Sequence, residues 1–139
     1  MTIWNMCPTP EQANESAKGT LMEYLGMEIT EIGDDYVKAT MPVDHRTIQP
    51  MGLLNGGASV ALAESVGSFA AQMAATKGHY CVGLDINANH LRGVREGLVT
   101  ATASPIHLGR TTQVWGIEIV DDRGKKACVC RLTMSVVKM

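Results

Sequence analysis

The sequence predicts an α+β fold in which an antiparallel sheet covers one long central helix. Two observations carry that expectation. The stretch Gln49–Gln72, QPMGLLNGGASVALAESVGSFAAQ, is small and apolar on every side of a helix, and its one ionisable residue is Glu64. A helix apolar all round is a buried helix. Around it lie strand-like segments, two before and four after, with no second long helix to serve as a crossover. Consecutive strands with a single helix make a layered α+β arrangement.

The totals are those of an ordinary globular chain. At 139 residues the expectation is one domain over 1–139, with enough chain to bury a core. Hydrophobic residues make up 45% and charged residues 19%, which points to neither disorder nor a membrane class. A net charge of −2 leaves no basic surplus for nucleic acid. The segment MTIWNMCPTPEQ has neither a basic start nor an apolar run, so no export signal is expected, and no stretch is apolar enough to span a bilayer. Cys7, Cys81, Cys128 and Cys130 show no metal-ligand spacing. They read as buried strand thiols of a reducing cytoplasm, with no metal.

Taken in order, Thr9-Pro10-Glu11 is a helix start, with a hydroxyl cap, proline at the first helical position and an acid in the first turn. That helix runs to about Ser16, and a second helical piece covers Leu21–Leu25 before Gly26. Met27–Ile32 and Tyr36–Met41 read as strands joined across Gly33-Asp34-Asp35. Asn55 is the expected N-cap of the central helix, which runs to about Thr76 and stops at Lys77-Gly78. Tyr80–His90 alternates strictly, with Val82, Leu84, Ile86, Ala88 and His90 on the apolar side. Strands follow at Leu98–Pro105, Thr111–Val120 and Lys126–Val137, turned by His107-Leu108-Gly109-Arg110 and Asp121-Asp122-Arg123-Gly124. A single sheet cannot enclose a helix on all sides, so the small residues of its far face point to a partner subunit.

Chemistry has few places to sit. Gly57-Ala58-Ser59-Val60-Ala61 lacks the final glycine of a nucleophile elbow, and no phosphate-binding or dinucleotide loop is present. What remains is a carboxylate working with backbone donors. The helix start at Gly56-Gly57 offers free N–H groups and the positive end of the dipole. Glu64 lies in apolar surroundings as a base or nucleophile, with Ser68 one turn on along the same face. The spacing leaves two readings of Glu64 open, a catalytic carboxylate or an ion pair inside a dimer. Likewise His90 is either a strand-end histidine or a ligand contact. Arg92, Arg95 and Arg110 are either solvated or phosphate contacts.

Distance restricts the catalytic reading. Gly56 and Glu64 are eight residues apart, roughly 12 Å along a helix. Attack on a polarised carbonyl requires about 3–3.5 Å. One helix cannot place both groups on one carbonyl, whereas two antiparallel helices related by a two-fold axis can. An active site of this kind requires a dimer.

The motifs Gln49-Pro50-x-Gly52-Leu53-Leu54-x-Gly56-Gly57-Ala58-Ser59, Ala63-Glu64-Ser65-x-Gly67-Ser68 and Asn87-Ala88-Asn89-His90 resemble those of the hotdog-fold acyl-CoA thioesterases. The likeness is greatest to the branch that hydrolyses 1,4-dihydroxy-2-naphthoyl-CoA in menaquinone synthesis or proofreads enterobactin synthesis. It extends through Met41-Pro42-Val43-Asp44 and His107-Leu108-Gly109 to the last strand. The resemblance implies a sheet wrapped around the central helix, homodimers joined through the sheet, and a tetramer of two dimers. It implies that Glu64 attacks the thioester or activates water, that Gly56 N–H of the opposite subunit polarises the carbonyl, and that Gln49 and Ser68 assist. Gly83, the run His90, Leu91, Arg92 and Gly93, and the run His107, Leu108, Gly109 and Arg110 would then hold the CoA arm. Asn55 stands where the family has histidine. It can cap the helix and donate a hydrogen bond but cannot act as an acid, so slower hydrolysis with near-normal folding is expected.

The activity implied is hydrolysis of aromatic or medium-chain acyl thioesters of CoA, or of a carrier protein, in the cytoplasm and without a cofactor. The alternative is a non-catalytic acyl-CoA-binding module that lost turnover through Asn55. Against it, pure binding gains nothing from a buried carboxylate. A dehydratase of the same fold would call for an Asp/His arrangement at the helix start, which is missing.

Overall fold

The computed structural model describes residues 1–139 and begins with two short helices, α1 (Pro10–Ser16) and α2 (Leu21–Tyr24). Strands β1 (Glu28–Ile32) and β2 (Val37–Pro42) precede the central helix α3 (Gly56–Ala74). Strands β3 (His79–His90), β4 (Leu98–Leu108), β5 (Thr112–Val120) and β6 (Lys126–Lys138) follow it. The six strands form one antiparallel sheet in the order β1-β2-β4-β5-β6-β3. α3 packs on one face of that sheet, the hotdog arrangement that the motifs imply.

Alternation drives the sheet onto the helix. Val37, Ala39 and Met41 of β2, Val99, Ala101 and Ala103 of β4, and Trp115, Ile117 and Ile119 of β5 are all fully buried. They meet Leu62, Ala63, Val66, Ala70 and Ala71 of α3, also fully buried. Gly67 sets the closeness of that contact, since a Cβ there would lie 2.6 Å from Leu132 Cδ2. The residues of α3 that face away from the sheet centre, Ala61, Glu64, Ser65 and Ser68, are only half-buried.

The two ends of α3 are tied by different means. At its start Asn55 Oδ1 accepts from Gly57 N (2.7 Å) and Ala58 N (3.3 Å), the expected N-cap. At its end the N-terminal segment supplies donors to carbonyls that a helix leaves unpaired. Asn5 N and Met6 N reach Met73 O, and Asn5 Nδ2 reaches Ala74 O and Ala75 O. Trp4 stacks on Trp115 at 6.1 Å between ring centroids and donates its indole N–H to Gly33 O. α1 has the expected cap, Thr9, with Gln12 reciprocating in a capping box.

The sheet has two unlike edges. β1 is covered, because Asn14 of α1 exchanges two hydrogen bonds with the Ile29 backbone. β3 is the other edge, and its Val82 and Leu84 are 44% and 63% exposed. This corrects the strict alternation expected for β3. Gly83 pairs with Met134 and Asp85 with Thr133, so Leu84 is an extra residue, a β-bulge. Before the bulge Cys81 and Gly83 face α3, and after it Ile86 and Ala88 do. Val82 and Leu84 therefore point away from the core.

β4 is also longer than expected. It continues through Pro105 to Leu108, so His107 and Leu108 belong to the strand, and the turn is Gly109–Thr111. Pro105 is tolerated because β2 pairs with β4 only as far as Ala103, leaving that edge open where the proline lies. Of the four cysteines, only Cys128 and Cys130 are buried strand thiols. Cys7 is exposed in the N-terminal segment, and Cys81 is half-buried.

Candidate active site

The loop into α3 is built to present its first turn. Thr47 is buried, donates to Pro42 O, and accepts from Asn55 N. Gln49 N donates to Leu53 O and Gly52 N to Gln49 O, a tight turn that Gly52 closes with φ +83°. Leu54 N then bonds Val94 O, which sets the loop against the segment that follows β3. The result is a cavity of about 420 Å³ at the start of α3. Gln49, Gly56, His90, Leu91, Arg92 and Gly93 all line it, so six of the residues singled out from sequence converge.

Within this cavity the first turn of α3 has one donor to spare. Asn55 Oδ1 takes the N–H groups of Gly57 and Ala58, and Ser59 N bonds Asn55 O. Gly56 N–H forms no hydrogen bond. The His90 ring lies over it, with Nε2 3.1 Å from the point where a Gly56 Cβ would stand. The side-chain oxygen of Gln49 is held by Met51 N–H. Ser59, Leu53 and Ala127 also line the cavity and were not singled out from sequence. Ser59 lies three residues beyond Gly56, on the same helix face, and that period was the available signal.

Glu64 lies elsewhere. It is half-buried on α3, forms no hydrogen bond and belongs to none of the ion pairs of the protein. Its carboxylate lies against Gly83 of β3, with Met134 beside it. Ser68 shares that face but its hydroxyl is directed to Met134 Sδ at 3.8 Å rather than to Glu64.

The residues expected along the CoA arm also divide. His90 pairs with Cys128 at one end of β6, and Arg92 follows beside Ala127. The Gly109–Thr111 turn lies by Ser135, at the other end. From Cys128 to Ser135 is seven rungs, about 23 Å at the rise of a strand. His107, Leu108, Gly109 and Arg110 are thus on the Glu64 side, away from His90 to Gly93.

Charge and thiol chemistry add little to either half. Asp121 is held below its ordinary value by Lys125 N–H first, then by Arg123 N–H and the charges of Arg123 and Arg92. The Cys128 and Cys130 sulfurs lie 3.6 Å apart, and burial pushes Cys130 up to about 12, so neither is a competent nucleophile at neutral pH. No three His, Cys, Asp or Glu side chains are grouped to hold a metal ion.

Comparison with known proteins bears on this geometry. Residues 51–128 match the thioesterase superfamily. A 1,4-dihydroxy-2-naphthoyl-CoA hydrolase of Escherichia coli is 48% identical over 135 residues, 97% of this chain and 99% of that one. A proofreading thioesterase of Cronobacter turicensis is 48% identical over 135 residues, 97% of this chain and 98% of that one. The crystal structure of a Haemophilus influenzae thioesterase superposes with a TM-score of 0.97 at 52% identity, covering 99% of this chain and 96% of that one.

Proposed function

We propose, from the premise that the chain belongs to the thioesterase superfamily and is a thioester hydrolase, that its substrates are aromatic acyl thioesters of CoA. The observation that carries the mechanism is the unpartnered Glu64 carboxylate, set midway along an apolar helix. Within the chain no ion pair or hydrogen bond accounts for it, which supports a role in the chemistry. Glu64 either attacks the thioester carbon and releases CoA thiolate, leaving an anhydride that water opens, or takes a proton from the attacking water. Gly56 N–H of a second copy polarises the carbonyl oxygen, aided by the helix dipole.

The layout supports a second copy. Gly56 and Glu64 lie roughly 12 Å apart along α3, too far to meet at one carbonyl from one chain. The uncovered β3 edge, with exposed Val82 and Leu84, offers main-chain groups for pairing with another β3. We take the working unit to be this homodimer, and a tetramer of two such dimers to be the assembly. The name of one relative supports 1,4-dihydroxy-2-naphthoyl-CoA or a related aroyl thioester, and a carrier-protein thioester is the second substrate class we propose. No helix is long and apolar enough to cross a membrane. A CoA thioester as substrate is what supports a cytoplasmic location.

A second reading is favoured by Asn55, whose side chain is engaged as a cap and carries no acid. On that reading the chain binds acyl-CoA without turning it over. Loss of thioester followed by mass, for 1,4-dihydroxy-2-naphthoyl-CoA, benzoyl-CoA and a medium-chain acyl-CoA, separates the two. Turnover fastest with an aroyl ester is expected. Binding of all three with no hydrolysis, even in Asn55→His, would establish the binding module instead. Single turnover in heavy-oxygen water distinguishes the roles of Glu64, since label enters its carboxylate only if it attacks directly.

A further inference from the structure

We propose that Gly83 is a positioning residue for Glu64: the side chain missing from β3 is the space in which the carboxylate lies, and the bulge at Leu84 turns that space toward α3. The inference rests on the catalytic reading of Glu64 above. A Cβ on Gly83 would run into Glu64 Oε2, with Glu64 Cδ only 3.5 Å and Met134 Sδ 3.9 Å away. The backbone does not ask for glycine here, because Gly83 is not among the residues with positive φ. Glycine inside a strand weakens it and marks a close approach. The approaching group is the Glu64 carboxylate.

The bulge supplies the aim. Ile86 and Ala88 face α3, and strict alternation back from them would turn Gly83 to the outer face. The one extra residue, Leu84, reverses that phase and sets Gly83 opposite Glu64. No hydrogen bond or ion pair holds the carboxylate, and the nearby Ser68 hydroxyl is turned to Met134. Within one chain its place is therefore set by shape, and a methyl group on Gly83 displaces it.

The test is Gly83→Ala, alone and combined with changes at Glu64. A misplacement of about 1 Å lowers rate by about 10²-fold, so kcat should fall by that order while KM stays within about threefold. Glu64→Asp, one methylene shorter, should lower kcat in the parent chain but restore part of it in the Gly83→Ala background. The melting temperature should fall on Gly83→Ala when Glu64 is present and hold when Glu64→Ala is made first, the coupling expected of groups in contact. If Gly83→Ala does not fold, a folded Gly83→Ala/Glu64→Ala chain supports the proposal and an unfolded one overturns it. Wild-type kcat in Gly83→Ala overturns it, as do effects on kcat and melting that are the same with and without the Glu64 side chain. If Glu64→Gln is inactive while Gly83→Ala is fully active, only the positioning role is lost. If Glu64→Gln turns over normally, the catalytic reading itself is wrong.

Discussion

At the start of α3 a side chain holds a backbone, whereas about 12 Å further along the helix a backbone makes room for a side chain. Asn55 engages two of the first three N–H groups and leaves the Gly56 donor free. At Glu64 the polar group is the side chain, and what meets it is the bare strand at Gly83. On the proposed mechanism, a hydrolase is assembled here without a triad. On that mechanism the start of the helix provides a fixed dipole that needs no proton and its middle a carboxylate, and the two do not meet inside one chain.

The sharpest way to break this comparison is Glu64→Gln. It should lower kcat by about 10³-fold, within the range for loss of a proton-transfer group, with little change in KM. A raised KM with kcat unchanged in a substrate titration would mean that the carboxylate binds rather than reacts. Gly56→Pro attacks the other end, because proline is accepted at the first helical position yet carries no N–H. It should lower kcat by about 10²–10³-fold with helix content by circular dichroism unchanged. Mixing the two inactive chains adds a test of the split site. In a two-fold dimer the mixed species holds one intact site, so refolding an equal mixture should recover about a quarter of wild-type activity. No recovery would mean that both groups serve from the same chain.

A smaller effect is expected at Asn55, where the two readouts should move in opposite directions. Asn55→His should raise turnover in the aroyl-CoA assay, since imidazole can carry a proton that the amide cannot. It should also lower stability by about 1 kcal/mol in urea titrations, because the cap to Gly57 and Ala58 is lost.

The smallest effect concerns acid. The Arg46 guanidinium, with help from Arg46 N–H, holds Asp44 down to about 2 from 3.8. A carboxylate depressed on folding contributes stability above its unfolded value, lost as pH falls from about 3.8 through about 2. Asp44 O accepts from Thr47 N, and Thr47 O accepts from Asn55 N, so this loss is felt at the Gly56 end. Exchange protection across residues 44–55, corrected for the intrinsic amide rate, should fall on going from pH 4 to pH 2, ahead of protection in β5, and Asp44→Asn should remove the difference.

Much of this was legible in the sequence. The cap at Asn55, the cap at Thr9 and the apolar helix follow from local chemistry that tertiary contacts did not override. The division of the site was legible too, because rise per residue fixes how far apart Gly56 and Glu64 must be. What was not legible depended on partners distant in sequence. Leu84 is as apolar as its neighbours, and only pairing with Met134 and Thr133 shows it to be surplus. Pro105 suggested the end of a strand, and only the length of β2 shows why it is harmless there. Ser68 looked like a partner for Glu64 until Met134, 66 residues away, took its hydroxyl.

The bulge in β3 has a consequence for which changes natural selection can accept. Because the surplus residue lies between Gly83 and His90, a single strand keeps two frames, one read by Glu64 and the other by Gly56. Substitutions at the outward Val82 or Leu84 leave both frames intact. Deleting Leu84 would bring the strand into one frame and turn either Gly83 or His90 to the outer face. At the bulge, lineages are free to change the letter but not to lose it.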